Sequence, residues 1–300
     1  KQNGIFEKIE NTLSVFLLIL LCVLPFIQLI AERFFHIPLL GVEGATVNLV
    51  FLFACFTSII TWRAHKHICI AAVDEFAPAP VKKTADALKA VFIPAVLLAL
   101  FFSSFSEFFA VFTPADKVWG VPLQVVFVLL PVSYALMLFS SLAHKKMLVF
   151  SVLGILLGCV ISAGPISGVL YYLFKIEEPA LFSALGSFWL GVSARFFPFL
   201  ILLIVAFAFL GVPLFVVISA VAYVAFSQGG GYVEMLSLEA YGILTDKSIA
   251  AIPLFTMAGY ILSKGSAGRR LVDVFKTLFG WFRGGFIIAA VVVTTFFTTF

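Results

Sequence analysis

The sequence predicts an all-α polytopic membrane protein, a helical scaffold with broken or re-entrant helices set into it. Three observations lead there. Hydrophobic residues make up 63% of the chain and charged residues 11%, against about 25% charged in soluble domains. The apolar residues fall in runs close to the ~20 that a helix needs to cross hydrocarbon. Proline and glycine interrupt some of these runs, at Gly211-Val212-Pro213, Pro253 and Gly259. Irregular backbone at membrane depth is tolerated only where protein or a watery cavity satisfies it.

The first run, Leu13–Ala31, is long for a secretory signal core. Arg33-Phe34-Phe35-His36 follows it rather than a small-residue cleavage site, so it reads as a retained helix. Further spans are predicted at Ala45–Trp62, Ala90–Phe112, Val121–Leu142 and Met147–Tyr172. Phe188–Leu210 and Leu214–Phe226 meet at Gly211-Val212-Pro213, either as a tight hairpin or as one kinked helix. Tyr232–Ile249 carries Glu234, Glu239, Asp246 and Lys247 and is too polar for a plain span. It is expected to be a re-entrant or interfacial helix, or else a surface loop before an ordinary crossing. Ile249–Ser263 and Phe286–Phe300 are the last apolar runs.

Lysine and arginine set the orientation. With the N-terminus in the cytoplasm, Lys1, Lys8, Arg63, Lys66, Lys82, Lys83, Lys89, Lys145 and Lys146 fall inside, and Arg33, Lys117 and Lys175 outside. The net charge of +4 comes without a basic run longer than two residues, which excludes a nucleic-acid surface. Cys22, Cys55, Cys69 and Cys159 lack paired spacing and read as small hydrophobes. There is no phosphate-binding Gly-Lys motif, no acidic magnesium cluster and no nucleophile constellation, so ATP hydrolysis and catalysis are unsupported.

The candidate site begins at Ser248. Proline removes a backbone donor, so Ile252-Pro253 marks a helix start or break. Carbonyls freed over Ala250, Ala251, Ile252 and Pro253, with the Ser248 hydroxyl, offer the hard oxygen ligands that a sodium ion takes. The plainer alternative is a proline-started helix with a serine cap. Thr294 and Thr298 share one helix face, and Thr295 and Thr299 the next. Packing accounts for some of these, and Thr298 or Thr299 is the site candidate. Glu107 is expected near the outer surface, snorkelling or pairing with Lys117. His65 and His67 do not share a helix face and read as part of a juxtamembrane basic belt. Arg269, Arg270, Lys276 and Arg283, interleaved with Leu271, Val274, Phe275 and Phe282, make a basic amphipathic segment suited to lipid headgroups.

The stretch Ala251-Ile252-Pro253-Leu254-Phe255, Gly259, Arg269-Arg270 and Gly284-Gly285, in that order, resembles the large membrane subunit of the tripartite ATP-independent periplasmic (TRAP) transporters. Leu210-Gly211-Val212-Pro213 resembles the opening of that subunit. Residues 1–146 resemble the small subunit, through Arg33 and Pro38, Glu43, Arg63 with His67-Ile68, and Asp74; the longer Pro-rich segment Asp74–Pro80 departs from it. The resemblance implies three parts: 1–146 as small subunit, 147–178 as linker helix, and 179–300 as the N-terminal part of the large one. A Gly/Ser-rich break is expected just past Phe300, so the chain reads as a piece of a longer protein.

The resemblance also implies a multi-pass inner-membrane importer, not an enzyme, coupled to sodium and needing no other cofactor, with elevator-type alternating access. It implies a periplasmic substrate-binding protein docking near Arg33, Glu43, Lys117 and Lys175. Carboxylates such as dicarboxylates or sialic acid would be the substrates, and membrane lipids and the remainder of the large subunit the other partners. Two other readings stay open: a non-transporting membrane scaffold, and an intramembrane lipid-modifying enzyme.

Overall fold

A computed structural model describes residues 5–299 except 38, 71, 111–116, 119, 143–146, 177–178, 231 and 280–283. The described residues are almost wholly helical, as the apolar runs require. Two compact units divide the chain, Lys1–Ile249 and Ala250–Phe300. The division falls inside the third of the three parts expected above.

In the first unit, α1 (Ile5–Phe35) and α2 (Val42–Arg63) pack together, and Arg63 reaches Glu10 at 2.6 Å. The short α3 (Ala72–Phe76) leads into α4 (Ala79–Ala110). At 32 residues and 1.5 Å per residue, α4 is about 48 Å long, well beyond the ~30 Å of hydrocarbon. It begins eleven residues before the predicted span, because Lys82, Lys83, Asp86 and Lys89 form a polar helical lead-in. A two-residue ribbon, β1 (Lys117–Val118) with β2 (Val121–Pro122), precedes α5 (Leu123–Phe127) and α6 (Leu129–Leu142).

The segment expected as a single linker helix is not one helix. It is α7 (Leu148–Ile161) and α8 (Ala163–Phe174), bent by 73° at Ser162. Pro165 in the first turn of α8 explains the new start, since proline is accommodated there but not in the interior of a continuing helix. α4 and α7 approach to backbone contact. A Cβ added at Gly158 would lie 2.9 Å from the Ala95 carbonyl oxygen, and one at Gly154 would overlap the Val91 carbonyl. Gly154-Ile-Leu-Leu-Gly158 is thus a small-residue seam of the kind that lets membrane helices close without a hydrophobic drive. The register 91–154, 95–158 rises in both helices together, so α4 and α7 run parallel.

α9 (Ala180–Phe209) leaves helical geometry at Phe196, two residues before Pro198. Gly211 at φ 88° then turns the chain into α10 (Leu214–Gln228), which packs back on α9. This is the hairpin rather than the kinked continuous helix. The Leu214 N–H donates to the Ile68 carbonyl at 2.9 Å, tying the hairpin turn to the segment after α2. α11 (Met235–Leu244) is ten residues, about 15 Å, too short to span. It is the helical element expected for 232–249 and lies against α2, α4 and α10.

The second unit carries most of α12 (Lys247–Lys264), then α13 (Ala267–Phe279) and α14 (Gly285–Thr299). α13 is strongly amphipathic, its basic residues Arg269, Arg270 and Lys276 exposed, and it packs on α14. Arg283 and Phe282 lie outside the described residues.

Candidate functional site

α12 starts at Lys247 and runs without interruption to Lys264, with Pro253 its seventh residue. The predicted helix start or break at Ile252-Pro253 is therefore corrected to a proline inside a continuous helix. Its consequence is narrower than expected. Pro253 has no N–H to give the carbonyl four residues back, so Ile249 is the carbonyl it leaves without that bond. The Ile252 carbonyl, within the predicted set, accepts the Thr256 hydroxyl at 2.8 Å. The cap is also reassigned. Asp246, not Ser248, caps the helix: its Oδ1 accepts the Ser248 N–H at 2.8 Å. The bonds from Ser248 hold the Asp246 carboxyl below the usual range. Ser248 itself is exposed. Ala251 and Pro253 are half-buried, and Ile252 is exposed. Ala250 lies in the helix, its side chain outside the described residues.

α14 is likewise an uninterrupted helix. Thr294 bonds the Ala290 carbonyl at 2.8 Å and Thr295 the Val291 carbonyl at 2.9 Å, the back-bonding that threonine makes in membrane helices. Thr298 and Thr299 belong to α14, with side chains outside the described residues.

The sequence reading missed how the start of α12 is held. The Tyr241 hydroxyl of α11 donates to Asn48 Oδ1 of α2 at 2.7 Å. Lys247 pairs with Glu43 of α2 at 2.6 Å, both side chains exposed. Ser103 of α4 donates to the Val233 carbonyl at 2.8 Å and lies 3.1 Å from the Ser237 hydroxyl of α11. Small-subunit-like helices thus fasten the element just ahead of Ser248. Asn48 and Ser103 sit in apolar runs, where a polar residue was the available signal.

Glu107 corrects another expectation. It is buried at 4% exposure rather than snorkelling, and its charged neighbour is Glu234, not Lys117. Of the docking candidates, Arg33, Lys117 and Lys175 are exposed, and Glu43 is engaged by Lys247. Lys175 adopts φ 54° and lies 5.4 Å over the Tyr171 ring.

His67 is more than a belt residue. Its Nε2 lies 3.1 Å from the Ser58 carbonyl, which can only accept, so Nε2 carries the proton. The ring packs against Trp62 and Phe215, and burial lowers its proton affinity. A cleft of about 590 Å³ opens beside it, lined in part by His65, Asp86, Lys89 and Pro213. Among the described residues no group of three His, Cys, Asp or Glu could hold a metal ion.

Residues 21–149 match the family model of tripartite ATP-independent periplasmic transporters, DctQ component, and residues 196–300 match that of the DctM component. The chain is a fused TRAP transporter subunit. No curated protein matches it. Between the two matches lies the bent pair α7–α8 and the first half of α9, whose kink at Phe196 coincides with the start of the DctM match. TRAP membrane components are transporters rather than enzymes, which removes the lipid-modifying reading, and they work with a periplasmic binding protein.

Proposed function

We propose that the chain is the membrane part of a sodium-driven importer that receives an organic acid from its periplasmic binding protein and moves it by an elevator motion. The observation that carries the reading is the succession of DctQ and DctM matches in one chain. We place 1–146 as the small-subunit part, 147–178 as the linker and 179–300 in the large-subunit part, with the N-terminus in the cytoplasm of an inner-membrane protein. Arg33, Glu43, Lys117 and Lys175 face the binding protein. Sodium is taken near Ser248 and the backbone at 250–253, with Thr298 or Thr299 contributing. The division of the chain at Ile249–Ala250, one residue past Ser248, supports a moving part that begins there.

A second reading is supported by the uninterrupted course of α12 and α14: these residues hold the transporter together without binding cargo. Uptake of labelled carboxylates into proteoliposomes holding the full-length transporter separates the two. Sodium-gradient-dependent uptake that requires the binding protein and falls with Ser248→Ala supports the first. Sodium-dependent uptake indifferent to Ser248→Ala leaves the site elsewhere, and uptake indifferent to sodium overturns the coupling.

A further inference from the structure

α4, α7, α9 and α10 enclose a cavity of about 330 Å³ within the first unit. Its lining is apolar throughout. The two lining side chains with polar ends have those ends engaged: the Trp189 indole N–H donates to Ser227 at 2.9 Å, and the Tyr223 hydroxyl to the Ile161 carbonyl at 3.3 Å. Water would find no partner, and an apolar cavity of about half this size stays dry and takes a small hydrocarbon.

The cavity is held open by the elements around it. The glycine seam fixes α7 on α4, and Phe92 stacked on Phe207 at 4.1 Å between centroids spaces α9 from α4. The kink at Phe196 bends α9 between two of the lining positions, Trp189 and Leu200. Ala95, Ala99 and Ala220 form a floor of buried small side chains, at 1%, 2% and 5% exposure. Leu88, Leu157 and Leu203, one from each of α4, α7 and α9, are 49%, 47% and 45% exposed and mark the mouth. Leu157 and Leu203 put that mouth on the apolar surface by which spanning helices meet the bilayer, with Leu88, in the lead-in of α4, at its polar edge. The cavity's volume of about 330 Å³ is smaller than a single helical turn, about 10 Å across and about 5.4 Å long. The medium at the mouth is hydrocarbon chain.

We propose that this cavity binds one acyl chain of a phospholipid, which joins the DctQ part, the linker and the DctM part into one packed body. The proposal stands whichever solute is carried. The test uses the full-length transporter in detergent, titrated with a phospholipid brominated along one acyl chain. Fluorescence assigned to Trp189, as the difference between the parent and Trp189→Phe, should be quenched saturably near one lipid per chain. Ala99→Leu, which fills the floor, should weaken that quenching on the order of tenfold or more, and Ala220→Leu should do the same. Quenching of the parent that never saturates overturns the proposal whether or not the variants fold. Saturable quenching unchanged by both substitutions overturns it as well.

Discussion

The interior of the first unit and the helices of the second are built from similar apolar sequence and are packed differently. Along α4, half of the most apolar window is buried, and Ser103, Ser104, Ser106 and Glu107 are buried with it. Along α12, Ile252, Phe255 and Tyr260 are 57%, 64% and 64% exposed. The difference shows where sequence resemblance and self-sufficient packing part. The residues that most resemble the large subunit sit in the less packed unit. The core of the first unit is shared: Val96 and Leu100 of α4 pack with Ile204, Ala208, Val212, Val216 and Val224 from α9, α10 and the turn between them.

Glycine gives the sharpest way to break that comparison. Gly154→Val should be the most damaging single change, because its Cβ meets the Val91 carbonyl, backbone that cannot swing away. We expect a loss of about 3 kcal/mol or more, read as a lower unfolding temperature in detergent. Gly259 in α12 has nothing within 4 Å of an added Cβ, so Gly259→Ala should be neutral or stabilising by about 0.5–1 kcal/mol. Equal damage at both positions would mean that the second unit is as tightly packed as the first.

The polar fasteners come next. Tyr241→Phe leaves Asn48 Oδ1, at a site 8% exposed, without its hydroxyl donor, a loss of roughly 1–2 kcal/mol. Glu107→Gln should act in the opposite sense. The substitution keeps the shape of a buried side chain and removes an ionisable carboxyl that has Glu234 as its charged neighbour, a gain of about 1 kcal/mol. A snorkelling Glu107, as the sequence suggested, would make the change neutral.

The helical class and most helix positions were legible because hydropathy reports what a bilayer requires. Two features were not. The 73° bend at Ser162 lies inside an unbroken apolar run; Pro165 was the signal, but proline starts one helix and kinks another, and only packing against α4 and α9 decides. The same ambiguity misled the reading of Pro253, where a lost bond to Ile249 is carried within one helix. Asp246-Lys247-Ser248 is a legible cap, an aspartate two residues ahead of the N–H it accepts, yet the serine drew the attention. Glu107 was misplaced because one helix's sequence does not show that Glu234, 127 positions on, is its neighbour.

The smallest expected effects test the joint between α2 and the segments that dock on it. Burial holds the proton affinity of His67 below its ordinary value of 6.5. The unfolded chain therefore takes up the proton first as pH falls. The stability tied to His67 is complete above pH 6.5 and is lost as pH drops through the lower folded value. His65, Asp86 and Lys89 line the same cleft, so the comparison to make is unfolding temperature against pH for the parent and for His67→Phe. The parent should fall more steeply below pH 6.5, and parallel curves would remove His67 from the joint. Lys247→Ala should cost least, within about 0.5 kcal/mol, since Lys247 and Glu43 form an exposed pair. If it instead slows uptake while the unfolding temperature stays put, the pair matters to transport and not to the fold.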